Sequence, residues 1–349
     1  MRTRSLSVAF GATSVAALVL TGCSGTSSDS GSGSTGSESV AMMVPGTAGD
    51  GGFFDQAITG VEAGAEQAGW TTQIVEAGYE PTRWQPALDD LANGESATII
   101  TSTFAMVDLL TQAATRFPDK QFAIFDAVVD APNVYSITYR YDETGFLAGV
   151  LAGLLETSSG VDRVTGTGVV GVVGGQDIPT INDYIDGFEA GVASVAPDVK
   201  VLKAYAGSFA DPVKGKAIAA DMIGQGAEIV FTASGGTDTG VFEAAADGEV
   251  WAIGNAEVQT TSPEINGTPV VLTAATTSTR ESVQDAVAQA GAGTLPVGET
   301  RSFGVADGSI WIVESDLYTE TVPQEIRDQV DAITEAVAAG EYESLLTGE

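Results

Sequence analysis

The segment Val169-Val-Gly-Val-Val173 is followed by the loop Gly174-Gly-Gln-Asp-Ile-Pro179, and apolar residues then recur at helical spacing from Ile181 to Val192. The short apolar run predicts a buried strand, and the periodicity predicts an amphipathic helix directly after it. Strand, glycine-rich loop and helix in this order are the repeating unit of parallel α/β sheets. This segment therefore predicts an α/β fold.

The same unit recurs in two consecutive series of similar size, which predict two doubly wound α/β lobes. The predicted strands are Val40–Val44, Thr72–Val75, Ala97–Thr101, Phe122–Phe125, Val169–Val173, Val199–Tyr205, Ile229–Phe231 and Val250–Ile253. The predicted helices are Ala57–Ala68, Trp84–Leu91, Met106–Arg116, Thr144–Leu155, Ile181–Val192, Pro212–Ile223 and Gly240–Ala246.

A third section is too small for a domain of its own, and we expect it to complete both lobes by crossing between them. It contains the predicted elements Val270–Leu272, Ser282–Ala290, Ile310–Val313 and Pro323–Ala338. The N-terminal lobe is predicted at 40–140, completed by about 257–297, and the C-terminal lobe at 141–256, completed by about 298–349. Hinges are expected near Tyr139–Asp142, Asn255–Glu257 and Leu295–Arg301.

Composition excludes several kinds of chemistry. The 349 residues contain no histidine, one cysteine, and 14 Lys+Arg against 47 Asp+Glu, for a net charge of −33. A Ser-His-Asp triad, a Cys-His pair and a histidine-ligated metal are excluded, as is an internal disulfide. The charge argues against nucleic acid as a partner. We expect neither a metal nor a cofactor.

The N-terminus predicts export and lipid attachment. Arg2 and Arg4 precede the uncharged, mostly apolar stretch Leu6–Leu20, which ends in Leu20-Thr-Gly-Cys23. This pattern resembles the bacterial lipobox, so residues 1–22 are predicted to be a signal peptide and Cys23 the acylated residue. Residues 23–39 are rich in Ser and Gly and predict a flexible tether to the membrane surface.

Several loops after predicted strands carry glycine, an acid, or both, and ligands of α/β proteins bind at that edge of the sheet. They include Asp50-Gly-Gly-Phe-Phe-Asp55, Asp126, Gly174–Pro179 and Gly235-Gly-Thr-Asp238. The segment Gly166-Thr-Gly-Val-Val-Gly171 has the G-x-G-x-x-G pattern of a dinucleotide-binding motif. Its glycines precede a predicted strand instead of following one, so it predicts a glycine-rich turn and not a dinucleotide site.

These motifs, in their order and spacing, resemble the Bmp-type (basic membrane protein) substrate-binding lipoproteins, which include purine-nucleoside receptors of bacterial ABC importers. The resemblance runs from about Val40 to about Gly340. Its landmarks are Gly49–Asp55, Phe125-Asp-Ala127, Pro132-Asn-Val134, Gly145-Phe-Leu-Ala-Gly149, Val173–Gly175 with Pro179, Gly187-Phe-Glu-Ala-Gly191, Gly207-Ser-Phe-Ala-Asp211, and Gly226–Val230 leading to Gly235-Gly236. It implies a type I periplasmic-binding-protein fold, in which two lobes joined by three crossovers hold the ligand in a cleft.

The resemblance also implies site residues. Phe53 and Phe209 are the candidates for stacking on a flat ring, and Asp126 is the candidate polar contact. Phe209 follows Gly-Ser in a loop, so we expect it to be exposed to the cleft instead of buried in the core. The full set of predicted ligand-binding residues is Asp50, Phe53, Phe54, Asp55, Asp126, Phe209, Gly236 and Asn255.

The chain departs from the family pattern where the ribose would bind. Ala256 and Val258 occupy two aspartate positions of the pattern, and Thr277 occupies its lysine position. Phe54 and Ile58 stand where the pattern has asparagine and an aromatic residue. Asn255 or Glu257 could substitute for the lost acid. We therefore expect a flat, neutral or cationic solute, whether a nucleoside, a free base or another ring compound.

Three functions remain open. The first is a lipid-anchored extracytoplasmic receptor that closes its lobes around a small solute and delivers it to an ABC importer permease. The second is a sensor subunit that presents ligand to a membrane signalling partner. The third is an extracytoplasmic hydrolase that uses carboxylates, which the absence of histidine and of a G-x-S-x-G motif disfavours. The receptor is the favoured function, and we expect no enzymatic activity.

Overall fold

The computed structural model of the chain describes residues 37–49, 52–262 and 264–347. The predicted signal peptide, Cys23 and all but the last residues of the tether lie outside these ranges. Among the described residues, no helix combines the length and the apolar character that crossing a bilayer requires.

Between residues 37 and 139, the described part of the chain forms five strands and three α-helices, which alternate up to the fourth strand. These elements are β1 Ser37–Val44, α1 Phe53–Ala68, β2 Thr71–Glu76, α2 Trp84–Asn93, β3 Ser96–Ser102, α3 Val107–Arg116, β4 Gln121–Phe125 and β5 Val134–Tyr139.

The second half repeats the alternation and then returns to both lobes. It comprises α4 Tyr141–Thr157, β6 Val169–Gly174, α5 Pro179–Val195, β7 Lys200–Tyr205, α6 Pro212–Gly224, β8 Ile229–Ala233, α7 Asp238–Gly248 and β9 Trp251–Gly254. The final section contains α8 Glu257–Thr260, β10 Glu264–Ile265, β11 Thr268–Pro269, β12 Val271–Thr277, α9 Thr279–Gly291, β13 Thr300–Phe303, β14 Ile310–Ile312, α10 Asp316–Thr321, α11 Gln324–Ala338 and α12 Glu343–Thr347.

Two six-stranded sheets with equivalent strand orders form the two lobes. The first has the order β13-β5-β4-β3-β1-β2 and the second β14-β12-β9-β8-β6-β7. All pairs in these sheets are parallel except β12 with β14, which is antiparallel. The predicted fold class, two doubly wound α/β lobes, is confirmed.

The crossovers differ in part from the predicted ones. The chain leaves the first sheet after β5 and enters α4, which coincides with the hinge expected near Tyr139–Asp142. Strand β12 belongs to the second sheet, whereas β13 pairs with β5 in the first, so the other two crossovers lie at 277–279 and 303–310. The segment returning to the first lobe is therefore about 279–303, not 257–297. The hinges expected at Asn255–Glu257 and Leu295–Arg301 are wrong, because each lies within one lobe.

Strand β1 shows why the sheets are covered on both faces. Its residues Val40–Val44 are all fully buried, because α1 packs on one face of the sheet and α2 on the other. A continuous apolar run of this kind is typical of parallel strands.

Helix α4 is the central element of the second lobe, and it is buried along almost its whole length. It packs against α5 at very short distance because glycines face the partner backbone. A Cβ added at Gly149 would overlap the carbonyl oxygen of Phe188, and one added at Gly191 would overlap that of Phe146. This close pair places Tyr141, at the start of α4, and Tyr184, in the second turn of α5, beside the cleft.

Candidate functional site

The loops that follow the strands of both sheets enclose a cavity of about 470 Å³ between the lobes. This is the edge where parallel α/β sheets bind ligands. The first lobe contributes Pro45, Phe53, Phe54, Tyr79, Trp84, Thr103, Phe104, Ala105 and Asp126. The second contributes Tyr141, Gln176, Ile178, Thr180, Ile181, Tyr184, Ser208, Phe209, Ala210, Ala233, Gly235 and Asn255.

Two phenylalanines at the start of α1 form one aromatic wall. The Phe53 and Phe54 ring centroids are 5.3 Å apart at 62°, and Phe53 also contacts Phe125 at 5.2 Å. A Cβ added at Gly46 would overlap the Phe54 ring, so the glycine at this position, two residues after β1, lets that ring pack against the loop backbone. Phe54 is thereby buried, and Phe53 stays half-buried with its ring available to the cavity.

Phe209 forms the corresponding wall of the second lobe. Its ring lies directly over the backbone of Gly175, where an added Cβ would overlap the ring. The loop is held by hydrogen bonds that the Ser208 amide donates to the Gly175 carbonyl and the Gly175 amide donates to the Ala233 carbonyl, both at 3.0 Å. The half-buried Phe209 faces the cavity, as expected for a loop residue.

Asp126 is the only charged residue among those that line the cavity within the described part of the chain. It follows β4 with a left-handed φ of 63°, and its amide donates to the Ile137 carbonyl at 2.8 Å. Its Oδ1 is shielded from solvent and has no hydrogen-bond partner among the described residues. Desolvation raises the pKa of Asp126 from 3.8 to about 7, although a hydrogen bond from the Tyr141 hydroxyl opposes this rise.

Tyr141 and Tyr184 form the floor of the cavity beside Asp126. Their rings are stacked, with centroids 4.6 Å apart and planes inclined by 28°. Both residues are buried, and burial raises the pKa of each hydroxyl well above its usual value, so both remain neutral donors. The sequence placed Tyr141 only in the hinge expected near Tyr139–Asp142, and Tyr184 only in the predicted helix Ile181–Val192.

A buried hydrogen-bond network holds the loop that carries Asn255. The Gln259 side chain accepts from the amides of Asn255 at 2.9 Å and Ala256 at 3.2 Å, and donates to Asp238 Oδ2 at 3.0 Å. Asp238 is only 2% exposed, and its Oδ1 accepts bonds from Thr232 and Ser234. Desolvation raises the pKa of Asp238, opposed by these hydrogen bonds.

Comparison with known proteins assigns the family. The model of the Bmp family, described as ABC transporter substrate-binding protein PnrA-like, matches residues 37–343. The chain belongs to the Bmp family.

Relatives and solved structures of this Bmp-family protein agree with the assignment. An ABC transporter nucleoside-binding protein, BmpA, of Lactococcus lactis is 33% identical over 65% of this chain and 65% of that relative. The chain therefore matches just under two thirds of the relative's length. A solute-binding protein structure from Conexibacter woesei is 25% identical, with a TM-score of 0.69 over 87% of this chain and 97% of that one. A solute-binding protein structure from Aeropyrum pernix, which is 22% identical, shares the fold with a TM-score of 0.77 over 87% of this chain and 92% of that one.

Substrate-binding proteins of ABC transporters are extracytoplasmic, bind small solutes and work with a membrane permease, and their family is not one of enzymes. The expected architecture and the family resemblance are thus confirmed for this Bmp-family protein.

Five of the predicted site residues line the cavity: Phe53, Phe54, Asp126, Phe209 and Asn255. Two do not line it. The Asp55 carboxylate turns back to accept the Gly49 amide at 2.7 Å, and it lies in the first turn of α1. Gly236 lies behind its neighbour Gly235, against the Phe209 carbonyl. Asp50 lies outside the described residues.

The structure adds cavity residues that the sequence did not single out. They are Tyr79, Trp84 and Phe104 of the first lobe, Gln176, Thr180 and Ser208 of the second, and the tyrosine pair. Gln176 stood inside the loop Gly174–Pro179, already marked as following a strand, and Ser208 stood inside the family landmark Gly207–Asp211, so their positions could have indicated them. Tyr79 and Phe104 carried no signal beyond their aromatic character.

Of the five departures from the family pattern, Phe54 lines the cavity, whereas the two at the aspartate positions and the one at the lysine position do not. Ala256 is buried, Thr277 shares a hydrogen bond of 2.9 Å with Thr279, and Val258 is exposed on α8. None of them is among the lining residues, and within the described ranges no group of acids, cysteines or histidines could hold a metal ion.

Proposed function

We propose that this protein is a lipid-anchored, extracytoplasmic receptor that captures a flat heteroaromatic solute, base-like or nucleoside-like, and delivers it to an ABC importer. The observation that carries the proposal is the combination of Phe53 and Phe209, which come from opposite lobes, with the unpartnered carboxylate oxygen of Asp126 in the same cavity.

The chemistry of these groups suits a flat ring with N–H donors. A heteroaromatic ring gains offset contacts with phenyl faces on either side. An ionised carboxylate accepts hydrogen bonds only, so the free Oδ1 of Asp126 would receive a ring N–H or an exocyclic amine. Because an unsatisfied buried carboxylate is costly, that bond would contribute strongly to affinity.

Charge restricts the class of ligand further. Asp126 is the sole charged side chain among the described lining residues, and no lysine or arginine lines the cavity there. A nucleotide would bring phosphates with no cation to neutralise them, so we expect a neutral or cationic ligand. The name of the Lactococcus relative, a nucleoside-binding protein, supports the ring chemistry.

Closure of the lobes would convert this cavity into a sealed site. The ligand contacts both lobes, so binding favours the closed form, which the permease would recognise. The crossovers at 139–141, 277–279 and 303–310 are the segments where the bending would occur.

Equilibrium titration tests the ligand class. Wild-type protein, Phe209→Ala and Asp126→Asn are titrated calorimetrically with adenine, guanine, hypoxanthine, adenosine, guanosine and inosine. We expect at least one of these compounds to bind, and each variant to weaken its binding by about tenfold or more. Val128→Ala is the matched control, because Val128 is an exposed first-lobe residue outside the cavity.

Failure of all six compounds to bind the wild-type protein would contradict the proposal. Recovery of the bound compound unchanged after prolonged incubation, measured by mass spectrometry, is the expected result for a receptor. Its conversion to a product would instead indicate an enzyme.

The lipid anchor has its own test. We expect metabolic labelling with a radioactive fatty acid to mark the wild-type protein, and Cys23→Ala to lose the label and to appear in the medium or the soluble fraction. An unlabelled wild-type protein would contradict the proposed anchor.

A further inference from the structure

Three aromatic residues of the first lobe extend the cavity wall beyond Phe53 and Phe54, and we call Tyr79, Trp84 and Phe104 the outer aromatic row. All three line the same cavity as Phe209 and Asp126. Phe104 is 60% exposed and Tyr79 is 40% exposed, which is high for large aromatic side chains. Exposed apolar surface beside a binding cavity is typical of a contact surface for a ligand.

The strand order shows how far this row lies from the polar anchor. Asp126 follows β4, Phe104 follows β3, Phe53 follows β1, and the Tyr79 turn follows the edge strand β2. Three strand spacings therefore separate the Asp126 loop from the Tyr79 turn, a distance of roughly 14 Å across the sheet edge. The loops between Asp126 and the Tyr79 turn carry the aromatic residues Phe104 and Phe53, so aromatic side chains line this edge of the sheet from β4 to β2.

Phe104 is held in place by an unusual backbone. The preceding Thr103 has φ 76° and ψ 150°, a conformation that a β-branched residue adopts rarely. Its amide donates to the Phe125 carbonyl at 3.1 Å, which fixes this turn against β4. Strain that persists beside a cavity indicates that the surrounding structure determines where the backbone of Phe104 lies.

The turn that carries Tyr79 and Trp84 is also fixed before any ligand arrives. The Trp84 indole N–H donates to the Gly78 carbonyl at 2.7 Å, and the Gly78 amide donates to the Gly46 carbonyl at 2.9 Å. Since its N–H is engaged, Trp84 offers the cavity only the carbon surface of its ring. The row is therefore preorganised and mainly apolar.

We propose, on the basis of the function proposed above, that the natural ligand carries an apolar or aromatic substituent on its heteroaromatic ring, and that the outer aromatic row binds this substituent. Polar hydroxyl groups would gain little from the carbon faces of Phe104 and Trp84. A ring or branched alkyl group would bury its own surface and that of Phe104 together. The cavity volume, about 470 Å³, lies within the range of about 300–1,000 Å³ of sites for drug-sized ligands.

The test compares three ligands that share one head group: adenine, adenosine, and benzyladenine, which carries a benzyl group on the exocyclic amine. Each is titrated into the wild-type protein, Phe104→Ala and the control Val128→Ala, and thermal unfolding verifies that every variant is folded. We expect wild-type protein to bind benzyladenine at least about tenfold more tightly than adenine or adenosine. In Phe104→Ala this ratio should fall at least about fivefold, and in Val128→Ala it should not change.

The other outcomes are distinguishable. Tighter binding of adenosine than of benzyladenine would overturn this inference and leave the proposed function in place. An equal loss of affinity for all three ligands in Phe104→Ala would also overturn it, because the ring would then serve lobe closure and not the substituent. Absence of binding by all three to the wild-type protein would overturn the inference together with its premise.

Discussion

The ionisation of one aspartate in the cavity should contribute to the pH dependence of this protein's stability. Desolvation raises the pKa of Asp126 from 3.8 to about 7, so the folded state favours the neutral carboxyl group. The contribution of this neutral carboxyl group to the free energy of unfolding is therefore fully present below about pH 4. It is lost as the pH rises through about 7. Asp126→Asn keeps the side chain neutral at every pH and should abolish that loss.

The magnitude follows from the difference between the two pKa values. About 3 pH units at about 1.4 kcal/mol each correspond to about 4 kcal/mol above pH 7. This is an upper value, since part of Asp126 faces the open cavity and is hydrated. Asp126→Asn should thus be more stable than the wild type by up to about 4 kcal/mol at pH 8 and by only about 1.5 kcal/mol at pH 5.

Urea denaturation followed by tryptophan fluorescence at pH 5, 6, 7 and 8 measures this difference without ligand. Because both proteins share all their other carboxylates, the general repulsion of this acidic chain cancels in the comparison. Asp130→Asn, which changes an exposed acid of the same loop, is the matched control for the loss of one carboxylate. A difference for Asp126→Asn that stays constant from pH 5 to pH 8, or a variant less stable than the wild type at pH 8, would refute the reasoning.

Three further predictions concern binding and packing. A ligand that donates N–H groups needs the ionised form of Asp126. Its dissociation constant, measured by calorimetry, should therefore fall by up to about tenfold between pH 6 and pH 8. The opposite trend would indicate a ligand that accepts a hydrogen bond from the neutral acid. Gly175→Ala should push the Phe209 ring out of place and weaken adenine binding by about tenfold or more in the same assay, and unchanged affinity would contradict the assigned role of that ring. Gly149→Ala should lower the free energy of unfolding, measured by urea denaturation, by at least about 1–3 kcal/mol, because the new Cβ overlaps the backbone of Phe188. Gly224→Ala is the control, since no atom lies within 4 Å of its new Cβ. It should be neutral or stabilising by up to about 1 kcal/mol.

The fold was predictable because its strongest elements carry local signals. The run Val40–Val44 and the small apolar residues of α4 predict a strand and a buried helix wherever they pack. The edge strand Thr300–Phe303 was missed, since three of its four residues are exposed and provide almost no hydrophobic pattern. Sheet membership of Val271–Thr277 was also not predictable, because a buried strand in either lobe would have the same composition.

Part of the site was predictable for a similar reason. Phe53, Phe209, Asp126 and Asn255 all follow strands, and position after a parallel strand already implies the ligand edge. Asp55, also predicted, does not line the cavity, because its carboxylate accepts the Gly49 amide of the preceding loop, a contact that no local sequence pattern indicates. Tyr141 and Tyr184 were missed as site residues because the first lay in a predicted hinge and the second within a predicted helix, and neither position indicates contact with a ligand.

The sequence alone was sufficient to predict the two-lobed α/β architecture, the family and the edge at which ligand is expected to bind, because these depend on local periodicity and on motifs contiguous in the chain. It also determined the scarcity of cations and the absence of histidine. The folded structure determined which carboxylate can contact a ligand: burial raises the pKa of both Asp126 and Asp238, but among the described residues Asp126 alone of the two lines the cavity, beside Tyr141 and Tyr184. It likewise decided that Tyr79, Trp84 and Phe104 share one wall. Burial and proximity arise from contacts between residues distant in the chain, which no local pattern specifies.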